Sequence, residues 1–358
     1  MRITLPPQHA VKVLCNGRSW HGGNHEWSLP TKNADGTWTP GDRTPSVLPT
    51  KCKKGWHLTL DPARWWGTDA GIVAYLAEYG GAVDAGDDKI AVEWCRLVRP
   101  LTSAELESAG IYASGSYEVR EGVAWASGSA NVTASGSATV TARDSANVTA
   151  SGSANVRAWD SATVTASDSA NVTASGSANV TASGSATVTA WDSATVTASD
   201  SANVRASGSA NVTAWDSATV TASDSATVTA RDSANVTASD SANVTASDSA
   251  TVRAWDSANV TASGSANVTA SDSATVRASG SANVTASGSA TVRAWDSAKV
   301  HAGDYSTCIA WRGVTLVLTR SERGVIIDRR GGTVKTYTKK RGLDGWRYRD
   351  GKWTRRSA

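Results

Sequence analysis

Phenylalanine is absent from this chain of 358 residues, methionine occurs once and proline eight times. The apolar 40% comes mostly from Ala and Val. A core of that composition lacks the Leu, Ile and Phe of a thick interior, which argues against a large globular enzyme. No run approaches the roughly 18 apolar residues of a membrane-spanning helix, so no span is expected. The start, Met1-Arg-Ile-Thr-Leu-Pro-Pro-Gln-His9, lacks the apolar stretch of a secretory signal, and the expected compartment is the cytoplasm. Cys15, Cys52, Cys95 and Cys308 are scattered and suit reduced thiols better than a disulfide framework.

Strong charge of one sign is lacking too. Lys plus Arg against Asp plus Glu counts 13 to 14 over residues 1–125, 8 to 13 over 126–301 and 14 to 5 over 302–358. Only the tail is basic. A DNA mimic the length of the central segment would need roughly 30 negative charges at one per ~1.7 Å. The segment carries a net −5, which excludes that role.

What the chain has instead is repetition. From Ala126 to His301 it reads as 22 consecutive octads, A-x-[G/D]-S-A-x-V-x, without an insertion. In an extended chain, alternation places Ala at positions one and five and Val at position seven on one side, with Thr, Asn, Arg and Trp on the other. Each octad therefore predicts a strand with one dry face and a corner at position three, where Gly tolerates positive φ and Asp bonds its own neighbouring backbone. A hairpin array would reverse that face at every turn, whereas a coil that always turns the same way keeps Ala and Val inside. The expected architecture is a β-solenoid. Two octads per coil predict a flattened stack about 52 Å long, three a triangular prism of about 34 Å; Ala, Ala and Val are too small to fill the prism, which favours two.

Position two is Ser except at Trp159, Trp191, Trp215, Trp255, Trp295, Arg143 and Arg231, and each of these is followed by Asp. These seven are candidates for exposed contact points, or for a cover over a thin solenoid. Their spacing along the chain traces no single row.

The flanks predict caps. Residues 113–120 form a degenerate octad out of phase by five, and 302–309 one in phase. The runs 314–319, 324–328 and 333–338 read as strands of a small antiparallel cap. The tail beyond mixes Lys and Arg with Trp346, Tyr348 and Trp353, a composition able to stack on bases and pair phosphates, or simply a solvated basic strand. The fold class is thus mainly β: a small α+β domain over 1–112, an octapeptide-repeat solenoid over 113–309 and a β-rich basic cap over 310–358.

Residues 1–112 have ordinary complexity. Ala10–Cys15 reads as a strand and Asp61–Trp66 as a short helix with Pro62 in its first turn. The runs 71–79 and 89–98 read as paired strands, and Thr102 opens a closing helix. The segments W-H-G-G-N-H-E-W-S-L-P (20–30), C-K-K-G-W-H-L-T (52–59) and D-K-I-A-V-E-W-C-R-L-V-R (88–99) resemble an uncharacterised domain of actinobacterial and phage proteins. That resemblance covers roughly residues 9–105 and implies a similar origin, with virion association one consequence, but no activity.

Cys15, His21, His25, Cys52 and His57 include enough imidazoles and thiols for a tetrahedral zinc site, although their spacing matches no compact finger. Zinc is the one cofactor considered. His21, His57, Tyr75 and Glu78 resemble, loosely, the His, Tyr and Glu elements of ADP-ribosyltransferase folds, which would make them catalytic. Stacked T-V-T rows resemble insect antifreeze solenoids, yet only six of 22 octads read T-V-T, and Asn, Arg and Lys interrupt them; no continuous threonine face is expected. The expected function is a structural and interaction scaffold with a protein partner or self-association, rather than an enzyme. Ligand binding or catalysis in 1–112 is the alternative, and ice binding a lesser one.

Overall fold

The computed structural model describes residues 4–19, 25–49, 55–66, 72–85, 89–303, 305–318, 325–328, 335–338, 346–349 and 352–355. Half of the chain is strand and 3% helix, in a parallel β-solenoid of about 13 turns and a small β-barrel-like region before it. The chain forms two compact units, Met1–Asn147 and Val148–Ala358.

The first unit opens with β1 (His9–Cys15), β2 (Arg18–Ser19), the short pair β3 (Thr31–Lys32) and β4 (Trp38–Thr39), then β5 (Trp56–Thr59), β6 (Ile72–Ala85) and β7 (Lys89–Pro100). The order β2-β1-β5-β7-β6 is closed by pairing of β6 back onto β1. The expected pairing of the 71–79 and 89–98 runs is present, with a bulge between Gly80 and Val83. Gly80 lies under the Trp94 ring, where a Cβ would sit 2.5 Å from the indole, and Gly81 has φ +78. The two glycines thus let the strand bend beneath an aromatic. Among the described residues helix is sparse: one 3-10 turn at Pro62–Trp65 and the six-residue α1 (Ser103–Ser108). Thr102 and Glu105 cap α1 reciprocally, and Glu105 also makes a bidentate pair with Arg99 at 2.7 Å.

Two strands, Ile111–Tyr112 and Ser116–Val119, then begin the solenoid. They pair in parallel with Trp125–Ala126 and Asn131–Ala134, placing Tyr112 beside Ala126 and Tyr117 beside Val132. The two tyrosine rings stack at 4.0 Å. Where later coils hold Ala and Val, the first is plugged by aromatics.

In the second unit each repeat strand from Asn155–Ala158 to Lys299–Ala302 pairs in parallel with its partner sixteen residues away, as Val164 with Val180 and Val180 with Val196. Two octads therefore make one coil, and successive octads alternate between two sheets. The first sheet holds strands such as Asn155–Ala158 and Asn171–Ala174, the second Thr163–Ala166 and Asn179–Ala182. Ala at positions one and five and Val at seven are buried at 0–3% exposure in all octads. Burial of each Val is worth about 1.5–3 kcal/mol, and the small side chains let the two sheets approach.

Each corner is a turn over positions two to five, closed by the amide of position five on the carbonyl of position two, as Ala186 N to Ser183 O at 3.2 Å. Position three, Gly or Asp alike, has φ between +52 and +64. An aspartate there costs roughly 1–2 kcal/mol against glycine. Its carboxylate was expected to bond its own neighbouring backbone; at many corners it reaches the preceding coil instead. At the six Gly-to-Asp steps among the described residues the glycine amide donates to the aspartate sixteen residues on, at 3.1–3.3 Å, whereas Asp248 and Asp272 accept from the serine hydroxyl beside them. Where it reaches the preceding coil, the corner side chain staples coil to coil, which offsets the backbone cost.

At the C-terminal end the repeat runs further than its consensus. Residues 310–317 form another octad, with Val314 and Leu316 buried in place of Ala and Val, and Cys308 takes the place of Val in the one before. The antiparallel cap expected over 314–338 is accordingly corrected: Thr315–Leu318 and Val325–Asp328 continue the parallel sheets. Antiparallel pairing starts with Lys335–Thr338 on one sheet and with Trp346–Arg349 and Lys352–Arg355 on the other.

Candidate functional site

Alternation in β1 puts Ala10, Lys12 and Leu14 on one face. Ala10 and Leu14 belong to a core cluster with Trp27, Leu58, Tyr75, Val92 and Cys95, so a lysine projects among apolar groups. Its Nζ donates to the carbonyl of His57 at 3.1 Å and lies 4.8 Å from the Trp27 ring centre. Burial brings the Lys12 ammonium down to about 8, against the opposing pull of Cys95. The same burial pushes the Cys95 thiol up to about 11. Lys12 escaped the sequence reading, although a single lysine centred in Ala10-Val-Lys-Val-Leu-Cys15 was a legible signal.

Of the candidates for catalysis, His57 stands on β5, where burial and then the charges of Lys12 and Lys89 lower its pKa. Its Nε2 is buried without a hydrogen-bond partner among the described residues. Tyr75 is buried on β6, which raises its pKa, and pairs with Lys12 across the strands. Glu78, three residues on, projects from the opposite face and is held by Arg96 at 2.7 Å. Tyr75 and Glu78 are therefore not brought to one side. His21 lies outside the described residues.

Of the zinc candidates, Cys52 and His21 lie outside the described residues. Cys15 ends β1; His25 packs its ring on Trp27 and Trp56 at 5.2 and 4.6 Å. Among the described residues no three His, Cys, Asp or Glu side chains are gathered as metal ligands would be.

The solenoid sorts the position-two side chains into two corners. Arg143, Trp159, Trp191 and Trp255 follow strands of the first sheet, and Trp215, Arg231 and Trp295 follow strands of the second. Two rows thus replace the absence of any row along the chain. Trp191 and Trp215 are 49% and 42% exposed, whereas Trp295 is half-buried edge-on to Trp311 at 5.9 Å. Arg231 lies 5.6 Å from the ring centre of Trp215, one coil away.

The outward position eight is sorted as well. On the first sheet it reads Arg157, Arg205, Arg253 and His301 at every third coil, with threonine at the two coils between. On the second sheet every sixteenth residue from Thr165 to Thr261 is threonine, in register over seven coils. The expectation that Asn, Arg and Lys interrupt the T-V-T rows holds at position six, where Asn179, Asn211, Asn243 and Asn259 break the column, and beyond Thr261, where Arg277 and Arg293 take position eight. Between Thr165 and Thr261 it does not hold at position eight, because Arg205 and Arg253 fall on the other sheet. Sequence order hid this because neighbouring octads belong to different faces.

Trp346, Tyr348 and Trp353 of the basic tail fall in the antiparallel strands, and their side chains lie outside the described residues. Among the described residues no helix is long and apolar enough to cross a membrane. No family model, curated protein or solved structure matches the chain.

Proposed function

We propose that the chain is a structural and interaction scaffold, a stiff solenoid that carries its N-terminal β region and presents a side-chain array to a protein partner or to further copies. One observation supports this above others: the sixteen-residue register runs unbroken from Asn155 to Ala302, with a corner bond reaching from coil to coil. Each coil is held by its neighbours alone, so length is set by coil number, at about 4.8 Å per coil. The setting proposed for the scaffold is a phage or actinobacterial one, a reading supported by the resemblance of residues 9–105 alone.

Whole-coil deletion tests this reading. Removing 182–229 takes out three coils and keeps both sheets in phase, so the maximum dimension from small-angle scattering should fall by about 14 Å while the N-terminal region stays folded. An unchanged dimension, or collapse of the whole chain, would show that the stack does not set molecular length.

A further inference from the structure

The two faces of the solenoid differ in one respect that composition cannot explain. Both are built from the same octad, yet over seven coils, from Thr163 and Thr165 to Asn259 and Thr261, the second sheet shows no charge at either outward strand position. The first sheet carries Arg157, Arg205 and Arg253 in the same stretch. On the second sheet position eight is always threonine, and position six alternates between Thr and Asn from Thr163 to Asn243. Most of these side chains are exposed; Thr213 and Thr229, beside Trp215 and Arg231, are partly covered. The asparagines do not stand up from the surface: Asn211, Asn243 and Asn259 each donate to the serine carbonyl two residues before, at 3.4–3.5 Å.

The result is a grid uncharged at its strand positions and bordered near its middle by Trp215 and Arg231 at the corner. Rows repeat at about 4.8 Å between coils, and the two columns stand about 6.7 Å apart along the strand. Roughly 450 Å² of such a face, seven coils by one four-residue strand, falls short of the about 800 Å² per partner of a stable protein pair. Two copies meeting through it alone would not hold. Over these seven coils its strand positions fit an uncharged partner, because the position-eight arginines lie on the other sheet or, at Arg277 and Arg293, beyond Thr261.

An extended lattice with the same repeat needs no such area, since many weak hydroxyl contacts add along a rigid array. The oxygen spacing on a prism face of hexagonal ice is close to this grid in both directions. We propose that the second sheet binds ice, with the threonine column from Thr165 to Thr261 as its contact row and the Asn/Thr column beside it ordering the adjoining water. A long charged side chain in the row would hold its own hydration shell and stand the lattice off.

The test uses the full chain, its Thr197→Lys variant in the middle of the row, and Thr221→Lys at the same octad position on the first sheet. Both substituted sites are exposed, so circular dichroism and melting should not change. Nanolitre osmometry should show faceted crystals and a gap between melting and freezing for the unaltered chain. Thr221→Lys should keep that gap, and Thr197→Lys should lose most of it. Unshaped ice growth with the unaltered chain at millimolar concentration overturns the proposal, as does an equal loss in both variants. A third result also overturns it: light scattering that shows a dimer dissociated by Thr197→Lys, with ice growth unaffected, would make the face an interface between copies. Coil deletion reports on the scaffold role and Thr197→Lys on ice binding, so either can fail alone.

Discussion

Lys12 is the residue whose surroundings depart furthest from its chemistry. Its folded pKa of about 8 lies below the ordinary 10.5, so between those values the unfolded chain binds more protons and stability rises with pH. Cys95 acts in the opposite sense. Held up at about 11 from an ordinary 9.0, its thiol stays protonated in the fold while the unfolded chain ionises, and stability falls from pH 9 to 11. Thermal melts of the N-terminal transition should therefore rise from pH 8 to 9 and then level. Lys12→Met should remove the rise and stabilise the fold at pH 7 by on the order of 2–3 kcal/mol. Cys95→Ala should extend the rise toward pH 10.5. A flat profile in the unaltered chain would mean that Lys12 is solvated. The position of Lys12 on the apolar face of β1 was legible from alternation, but its depressed pKa was not, because Trp27, Tyr75 and Cys95 come from other parts of the chain.

At the scale of the element, the octad explains both the strand and its limits. Val at position seven supplies most of the buried apolar area, since Ala adds a single methyl. Val212 is 3% exposed between Val196 and Val228. Val212→Asp should leave an unpaired buried charge, cost at least about 3 kcal/mol and open the stack to protease near that coil. Asn211→Thr, on the exposed side of the same strand, should be nearly silent. If Val212→Asp melts and resists digestion like the parent, the Ala/Val interior does not hold the coils. Corner conformation was readable from the Gly/Asp alternative at position three. That the aspartate carboxylate is bonded by the coil before was not, because its partner lies sixteen residues away.

For the whole molecule the question is how a stack of identical rungs stops. Uncapped, it offers a full row of amide and carbonyl groups to any similar rung. At the start, the half-buried Tyr117 stacks on the buried Tyr112 at the first coil; at the end, the direction of pairing changes and the edge strands Lys335–Thr338 and Lys352–Arg355 carry basic residues, which repel their like. Removal of 319–358 should let two molecules join end to end, and removal of 1–122 as well should give fibres. Size-exclusion chromatography with light scattering reads both. If the double truncation stays monomeric where the intact chain is monomeric, these segments do not act as caps.

The sequence by itself determined the solenoid, its inward and outward residues and the turn at position three, because each depends on neighbours a few bonds apart and recurs 22 times. It also favoured two octads per coil through the smallness of Ala and Val. Only the tertiary structure decided which octads share a face. With a sixteen-residue coil, side chains that meet in space are two octads apart, so the arginine row, the threonine row and the two tryptophan corners are invisible to a reading that runs from one octad to the next. The same holds for the ends, where Thr315–Leu318 and Val325–Asp328 join the parallel sheets because strands with open edges were there to receive them.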